Sequence, residues 1–244
     1  MRLHRLSVRR PPAALRRRRR SIGGARLVAC ALAAPVRRGL VRLRLEGTEN
    51  LPLDGPAIIA ANHLSFLDSV LLLYSLPRHV YALGKAEYTD RRITRWLFCG
   101  AGMIPVRRQS PGGLAKALDQ ARHVLDAGAV LAVFPEGTRS RDGHLHRGHC
   151  GAAHLALQTG APLIPVGIIG TDHILPLGTR VVRPFRRATL RVGAPIWPAA
   201  GGFTESTNQA RRTITDRLMS EIGCLSEQHY DDHYAPLPLQ SAPG

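Results

Sequence analysis

Apolar residues along this chain occur either in short continuous runs or at spacings of three and four. Short runs bounded by glycine or proline are typical of buried strands, whereas the wider spacing is typical of amphipathic helices. Strands are predicted around Leu43 and Leu45, then over 57–61, 79–83, 103–106, 129–134, 163–169 and 189–192. Helices are predicted over 70–76, 91–98, 114–125 and 151–159, with a last one marked by Ile214, Leu218 and Ile222. Because strands and helices alternate, the sequence predicts a single α/β domain, with a mixed or largely parallel sheet flanked by helices.

Four stretches of the chain differ in composition. Residues 1–24 form an arginine-rich arm that is predicted to be disordered, and 39–225 form the folded domain. Residues 226–244 have no periodic pattern and are predicted to be a loose tail. Residues 25–38 include the apolar stretch Leu27–Val36, which is shorter than the ~20 residues of a spanning helix. It faintly resembles a signal peptide, but the arginines on both sides favour a short interfacial membrane helix, and no transmembrane helix is predicted.

The net charge of +17 is concentrated at one end of the chain. Residues 1–45 contain 14 arginines and no acid, while the rest holds 20 Lys and Arg against 17 Asp and Glu, a balance of +3. Such an arm is typical of segments that bind a polyanion, either anionic lipid or nucleic acid. Alternatively, Met1 is an over-extended start, and the domain begins near Gly39. The near-neutral domain and its 5% aromatic content do not favour specific nucleic-acid binding.

Cysteine and histidine usage predicts neither a disulfide framework nor a metal site. The cysteines are scattered, which favours reduced thiols in a cytoplasmic setting, at Cys30, Cys99, Cys150 and Cys224. His144, His146 and His149 have a metal-like composition, but they lie between glycines and outside any H-E-x-x-H helix. A basic loop is the preferred interpretation. Since no Walker A or G-x-G-x-x-G motif is present, no nucleotide cofactor is predicted.

A histidine and an aspartate follow the predicted strand 57–61, in Asn62-His63-Leu64-Ser65-Phe66-Leu67-Asp68. Five residues on one helix would place His63 and Asp68 on different faces. They can meet only if His63 lies before the helix and Asp68 in its first turn, which the capping-box spacing of Ser65 and Asp68 supports. His63 would then be a general base and Asp68 its orienting partner. The alternative is a turn histidine beside a capping aspartate.

Three further segments carry polar groups or a proline at strand ends. Phe134-Pro135-Glu136-Gly137-Thr138-Arg139-Ser140 combines a carboxylate, a flexible glycine and an arginine, which binds phosphate bidentately. Gly102-Met103-Ile104-Pro105-Val106-Arg107-Arg108 is a strand that delivers two arginines. Leu163-Ile164-Pro165-Val166 is an apolar strand whose proline is expected at a sheet edge or strand start.

In this order the four segments resemble the motifs of the glycerolipid acyltransferases, in particular the lysophosphatidate acyltransferases. Their motifs are N-H-x4-D, a G-x-x-[FP]-[IV]-x-R strand, F-P-E-G-T-R-S and an apolar V-P-[IV]-type segment. The resemblance implies that His63 and Asp68 are catalytic and that Pro165 and Val166 line the acyl side. It implies acceptor binding by Glu136, Gly137, Thr138, Arg139, Arg108, Arg107 and Lys85. Arg107 departs from the family, which often has aspartate there, and Lys85 is alternatively a surface residue.

The resemblance also implies the reaction. A fatty acyl group would pass from acyl-CoA or acyl carrier protein to a lysophospholipid hydroxyl, most simply that of 1-acyl-glycerol-3-phosphate, giving phosphatidate. Glycerol 3-phosphate and other lysophospholipids are alternative acceptors. No cofactor is expected beyond the acyl donor. The expected location is the cytoplasmic face of the cell membrane, as a peripheral or monotopic protein at an anionic surface.

Overall fold

The computed structural model describes residues 41–85, 102–106, 112–179, 181–198 and 208–236. The arginine-rich arm, the predicted interfacial segment 25–38 and the predicted helix 91–98 lie outside these ranges.

A seven-stranded sheet runs through the middle of the protein. Its strands are β1 (Val41–Glu46), β2 (Ala57–Ala61), β3 (Val80–Lys85), β4 (Met103–Val106), β5 (Val130–Val133), β7 (Leu163–Ile169) and β8 (Arg186–Val192). Two short strands pair separately, β6 (Leu145–His146) with β9 (Tyr230–Asp231). The order in the large sheet is β1-β8-β7-β2-β5-β3-β4. Only β7 and β8 pair antiparallel, which confirms the predicted mixed, largely parallel sheet.

Helices cover both faces of this sheet. They are α1 (Phe66–Ser75), α2 (Gly113–Asp126), α3 (Gly151–Thr159), α4 (Thr171–Ile174) and α5 (Asn208–Ser226), with a 3₁₀ turn at Thr48–Asn50. Because successive residues of a strand face opposite sides, Ile58 and Ile59 of β2 enter two different cores. Ile59 packs with Leu71 of α1, and Ile58 packs with Leu125 of α2 and Leu218 of α5. No helix in the described ranges combines the length and hydropathy needed to cross a bilayer.

The strand directions bring many chain ends to one side of the sheet. The carboxyl ends of β7, β2, β5, β3 and β4 lie together, and this side is called the carboxyl edge below. Since β8 and β1 run the opposite way, their amino ends lie at the same edge. In open α/β sheets, ligands bind outside the carboxyl ends of the strands, so this edge is where a site is expected.

The position of Pro165 differs from the prediction. It is the third residue of β7, between β2 and β8, and therefore lies neither at a sheet edge nor at a strand start. The missing N–H is tolerated because β8 pairs with β7 only from Val166 onward. Beyond that point the Gly193 N–H donates to the Pro165 carbonyl at 2.8 Å. A Cβ on Gly193 would lie 2.9 Å from Pro165 Cγ, so the close approach requires glycine.

The segment after Ser226 is also better ordered than predicted. The Leu145 N–H donates to the His229 carbonyl at 2.9 Å, and the Arg147 N–H donates to the His233 carbonyl at 3.0 Å. The prediction of a loose tail is therefore wrong for this part, while residues 237–244 lie outside the described ones. A two-residue strand such as β9 is too short to leave a periodic pattern in a sequence.

Candidate functional site

His63 and Asp68 are in contact at the carboxyl edge. His63 follows β2 directly, and its Nδ1 lies 2.9 Å from Asp68 Oδ2. The His63 side chain is 15% exposed, whereas that of Asp68 is fully buried. A buried carboxylate on Nδ1 favours the tautomer that carries its proton there, which leaves Nε2 as the basic nitrogen. Nε2 has no hydrogen-bond partner among the described residues.

The same carboxylate begins helix α1. Asp68 Oδ2 also accepts hydrogen bonds from the backbone N–H groups of Leu64 at 2.7 Å and Ser65 at 2.8 Å. Ser65 Oγ accepts from the Leu67 N–H at 3.2 Å, which completes the predicted capping box. The helix therefore starts at Phe66, four residues earlier than the apolar pattern alone predicts. The amino end of the helix thus places partial positive charge beside the Asp68 carboxylate.

The ring of His63 is fixed from a second side by β5, the neighbour of β2. The Phe134 ring stacks on the imidazole with centroids 3.8 Å apart and planes at 11°. The Ser140 N–H also donates to the His63 carbonyl at 2.7 Å. The segment Phe134–Ser140 thus contacts both the backbone and the ring of His63. The two segments meet because the parallel pairing of β2 with β5 brings their carboxyl ends together.

Glu136 is buried beneath this contact, with 2% of its surface exposed. Its Oε1 accepts from the His63 N–H and its Oε2 from the His146 N–H, each at 3.1 Å. Burial raises the pKa of Glu136 to about 7, although the two N–H donors lower it. The carboxylate therefore joins the backbones of two segments. Its predicted part in acceptor binding stays a prediction, and any such effect acts through the groups that it holds.

Asn62 was assigned no role from the sequence, yet it connects three parts of the protein. Its side chain is fully buried, donates to the Ile168 carbonyl at 2.8 Å and accepts from the Ile168 N–H at 2.7 Å. Its Nδ2 also donates to Gln228 Oε1 at 2.7 Å. A polar residue directly after an apolar strand was the available signal for Asn62. Gln228 lies 166 residues away and gave no signal.

The histidine-rich segment forms a turn in which His146 is buried, whereas Asp142 and His144 are exposed. Asp142 Oδ1 accepts from Ser140 Oγ and the His144 N–H at 3.0 Å, and contacts His146 Nε2 at 3.1 Å. Partial burial would raise the pKa of Asp142, but these hydrogen bonds lower it to about 2. His149 stacks on Tyr234 instead, with centroids 4.8 Å apart. In the described ranges, no group of three or more His, Cys, Asp or Glu side chains is arranged to hold a metal ion.

Arg139 is a half-buried arginine at the carboxyl edge. It lies on the short loop between Glu136 and Ser140 and has no ion pair with any carboxylate of the described residues. Gly137 adopts φ 75°, a left-handed conformation that favours glycine, and its N–H donates to the Phe134 carbonyl at 3.0 Å. Thr138 is likewise half-buried.

The other predicted residues divide between the same edge and the core. Lys85 is the last residue of β3 and lies in register with Val106, the last residue of β4. Arg107 and Arg108 follow Val106 in the sequence but lie outside the described residues. Pro165 and Val166 are buried in β7, beneath the surface of the edge. Their predicted role on the acyl side, like the binding roles of the basic residues, stays a prediction.

Sequence comparison identifies the relatives of this arrangement. A sequence model described as Acyltransferase matches residues 42–169, from the second residue of β1 to the end of β7. The chain is 32% identical over 178 residues to a chloroplastic 1-acyl-sn-glycerol-3-phosphate acyltransferase of Arabidopsis thaliana, covering 72% of this chain and 49% of that one. It is 34% identical to a 1-acyl-sn-glycerol-3-phosphate acyltransferase of Chlamydomonas reinhardtii, covering 84% of this chain and 61% of that one. The chain thus spans about half to three fifths of the length of these relatives.

A solved structure shares the fold. It is the 1-acyl-sn-glycerophosphate acyltransferase of Thermotoga maritima, with a TM-score of 0.66 and 24% sequence identity. The superposition covers 90% of this chain and 83% of that one. At this identity the likeness establishes the architecture of the sheet and helices.

Proposed function

The chain belongs to the acyltransferase family, and from that premise we propose that it acylates the free hydroxyl of 1-acyl-glycerol-3-phosphate to give phosphatidate. The acyl donor is a thioester, either acyl-CoA or acyl carrier protein. The observation that carries the proposal is the contact of His63 Nδ1 with the buried Asp68 carboxylate, which leaves Nε2 for the acceptor. The names of the two relatives support the choice of acceptor.

His63 acts as the general base in this mechanism. Nε2 removes the proton of the acceptor hydroxyl while the oxygen attacks the thioester carbonyl. Asp68 stabilises the imidazolium that forms and keeps the ring in position. The carbon–sulfur bond then breaks, and the leaving thiolate takes the proton back from Nε2. Atoms and charge balance, and no further cofactor or metal takes part.

The phosphate of the acceptor has a matching group nearby. Arg139 projects from the loop that packs against His63, and it has no described carboxylate partner. A guanidinium can hold two phosphate oxygens in a fixed geometry, which orients the acceptor relative to Nε2. Lys85, Arg107 and Arg108 would add positive charge from the ends of β3 and β4.

The same chemistry would serve another acceptor, such as glycerol 3-phosphate or a different lysophospholipid. All of these present a hydroxyl close to a phosphate, which is what the dyad and Arg139 require. A panel of such acceptors, offered with acyl-CoA and with acyl carrier protein, identifies the preferred pair. We further propose that the protein works as a peripheral or monotopic protein at the anionic cytoplasmic face of the cell membrane, and that nucleic acid is not a specific partner.

The test replaces the proposed base. His63→Ala is expected to lower turnover by about 10²–10⁴-fold, the usual contribution of general-base catalysis. Folding should be retained, since Asp68 keeps its backbone donors. His123→Ala, which removes an exposed histidine from α2, is the matched control and should behave as wild type. Folded His63→Ala protein with wild-type turnover on every acceptor would sink the mechanism.

A further inference from the structure

Residues 181–187 expose apolar and basic side chains together, where the loop between α4 and β8 ends and β8 begins. Val181 is 73% exposed and Phe185 is 69% exposed. Three exposed arginines accompany them: Arg183, Arg186 and Arg187. None of the three forms an ion pair with a carboxylate of the described residues. A single exposed apolar residue needs no explanation, but two beside three unpaired arginines form a distinct surface.

The base of this loop is fixed to the fold. The Leu175 carbonyl accepts from Ser65 Oγ at 2.7 Å, and the Arg183 N–H donates to the Ile174 carbonyl at 2.8 Å. Val182 packs against the core between its two exposed neighbours. The outward direction of Val181 and Arg183 is therefore set by the fold, because the residue between them is turned inward.

Phe185 has an unusual backbone conformation for an aromatic residue. Its φ is 62°, in the left-handed region that bulky side chains rarely adopt. The strain is not offset by burial, since most of the side chain faces solvent. Residues held in such strained conformations cluster at active sites, ligand clamps and switch regions.

The loop lies at the carboxyl edge, beside the end at which the chain enters the sheet. Arg186 begins β8, whose amino end lies at that edge, and Val41 of β1 is its register partner. Val41, the first described residue of β1, therefore lies beside the loop, at the edge of the sheet that carries His63.

We propose that residues 181–187 dock against an anionic lipid bilayer. Val181 and Phe185 enter the boundary between headgroups and acyl chains, and the arginines bind headgroup phosphates. The proposal rests on the proposed function, since a lysophospholipid acceptor would reach His63 from such a surface. Apolar tips flanked by unpaired arginines match a bilayer better than nucleic acid, which has no apolar layer to receive a valine.

The test measures binding of the full chain to phosphatidylcholine vesicles with and without phosphatidylglycerol. The double variant Val181→Ser/Phe185→Asn should weaken binding about tenfold, and the loss should persist at high salt because burial of apolar groups does not depend on charge. Arg183→Gln/Arg187→Gln should lose mainly the preference for the anionic vesicles. Asparagine tolerates positive φ, so the Phe185 replacement should keep the fold, which thermal unfolding checks.

Leu53→Ser is the matched control. Leu53 is 83% exposed but lies between the carboxyl end of β1 and the amino end of β2, at the opposite edge of the sheet. Its vesicle binding should equal that of wild type. Wild-type binding by Val181→Ser/Phe185→Asn would overturn the docking surface, as would a preference of the full chain for duplex DNA over anionic vesicles at equal salt.

A second assay separates this proposal from the proposed function. A short-chain lysophosphatidate dispersed as monomers does not require docking, so the loop variants should acylate it at the wild-type rate while losing activity on vesicle-bound acceptor. Absence of transfer by wild type to every acceptor in either form would refute the proposed function alone, because vesicle binding is measured independently. Equal loss on both forms of the acceptor would refute the docking role.

Discussion

At the residue scale, single carboxylates organise the site by contacting several backbone groups. Asp68 binds the ring of His63 together with two backbone N–H groups of the turn before α1. Glu136 binds the backbone N–H groups of His63 and His146. Since charged acceptors form stronger hydrogen bonds than neutral ones, each carboxylate fixes backbone that a neutral residue would hold less firmly.

Replacing Glu136 should reveal its titration in the folded protein. Its pKa is about 7 against 4.5 for the free side chain, so the folded state binds more protons between these pH values. The free energy of unfolding of wild type should therefore fall as pH rises through this window. The side chain of the Glu136→Gln variant does not titrate. Its amide NH₂ group must face one of the two backbone N–H donors that the carboxylate accepts. At pH 5 the variant should have a lower free energy of unfolding than wild type, and this difference should be about 2 kcal/mol smaller at pH 8.

Denaturant unfolding of both proteins at several pH values measures this change. The other titrating groups are common to the two proteins, so their contributions cancel in the difference. A deficit that stays constant from pH 5 to pH 8 would show that Glu136 does not titrate there.

Arg139 should act on the acceptor and not on the donor. Arg139→Lys replaces a fork of donors by a point charge, so the KM for the acceptor should rise severalfold while the KM for the acyl donor stays near that of wild type. Steady-state kinetics with each substrate varied in turn decides between the two. A rise confined to the donor KM would assign Arg139 to the donor. Arg141→Lys, an exposed arginine two residues away, is the control.

At the element scale, the C-terminal segment fastens the histidine-rich turn to the sheet. Gln228 accepts from Asn62 Nδ2 and donates through its own Nε2 to the Gly143 carbonyl, both at 2.7 Å. Just beyond Gln228, β9 pairs with β6, which contains His146, the residue whose N–H Glu136 binds. Gln228 thus connects Asn62, the residue before His63, with Gly143 in the turn after Arg139.

Gln228 should therefore position the site without contacting substrate. Gln228→Glu keeps the acceptor for Asn62 but loses the donor to Gly143, whereas Gln228→Ala loses both. Turnover should fall severalfold in Gln228→Ala and less in Gln228→Glu, with both KM values little changed. Each lost hydrogen bond should cost about 1 kcal/mol in stability.

The control for this pair is Gln158→Ala, an exposed glutamine on α3. Turnover and KM are measured for all three variants alongside thermal unfolding. Equal turnover of Gln228→Ala and wild type would show that the connection to Asn62 does not matter for catalysis.

The elements show how far the sequence could predict the fold. β2, β4, α3 and β7 have the predicted bounds, because each is an apolar run or repeat between clear breakers. The last helix was predicted from Ile214, Leu218 and Ile222 without bounds. It begins at Asn208, and its first turns are mostly polar and leave no apolar period. The meeting of His63 and Asp68 could be predicted from local capping. The contacts of Asn62 and Gln228 depend on tertiary packing, which no local pattern encodes.

At the scale of the whole molecule, most of the charge and the candidate active site belong to different parts of the chain. The arginine-rich arm carries most of the net charge, while the motifs start at Asn62 in a nearly neutral domain. The sequence predicted which segments form strands of the large sheet but not the order of those strands. The strand order depends on tertiary packing of the strand faces. It places Val41, the first residue of β1, beside Arg186 of β8.

Deleting residues 1–24 should separate membrane attraction from catalysis. Transfer to an acceptor dispersed as monomers should be unchanged, because the arm contributes no predicted core residue. Binding to anionic vesicles should weaken, and added salt should weaken the full chain in the same way, since exposed charges are screened over about 8–10 Å at physiological ionic strength. Co-sedimentation of both proteins with anionic and neutral vesicles measures this. Equal sedimentation would exclude the arm from membrane binding and favour the over-extended start.

The shared use of Asp68 has a consequence for how this fold diverges. In a duplicate copy released from selection for catalysis, His63 is free to drift, since the helix does not depend on its ring. Asp68 remains under selection, because losing it unties the turn of Leu64 and Ser65 from α1 in any descendant that still has to fold. Inactive descendants should thus keep the aspartate after losing the histidine. A surviving aspartate is therefore a record of ancestry, and only the pair is a record of activity.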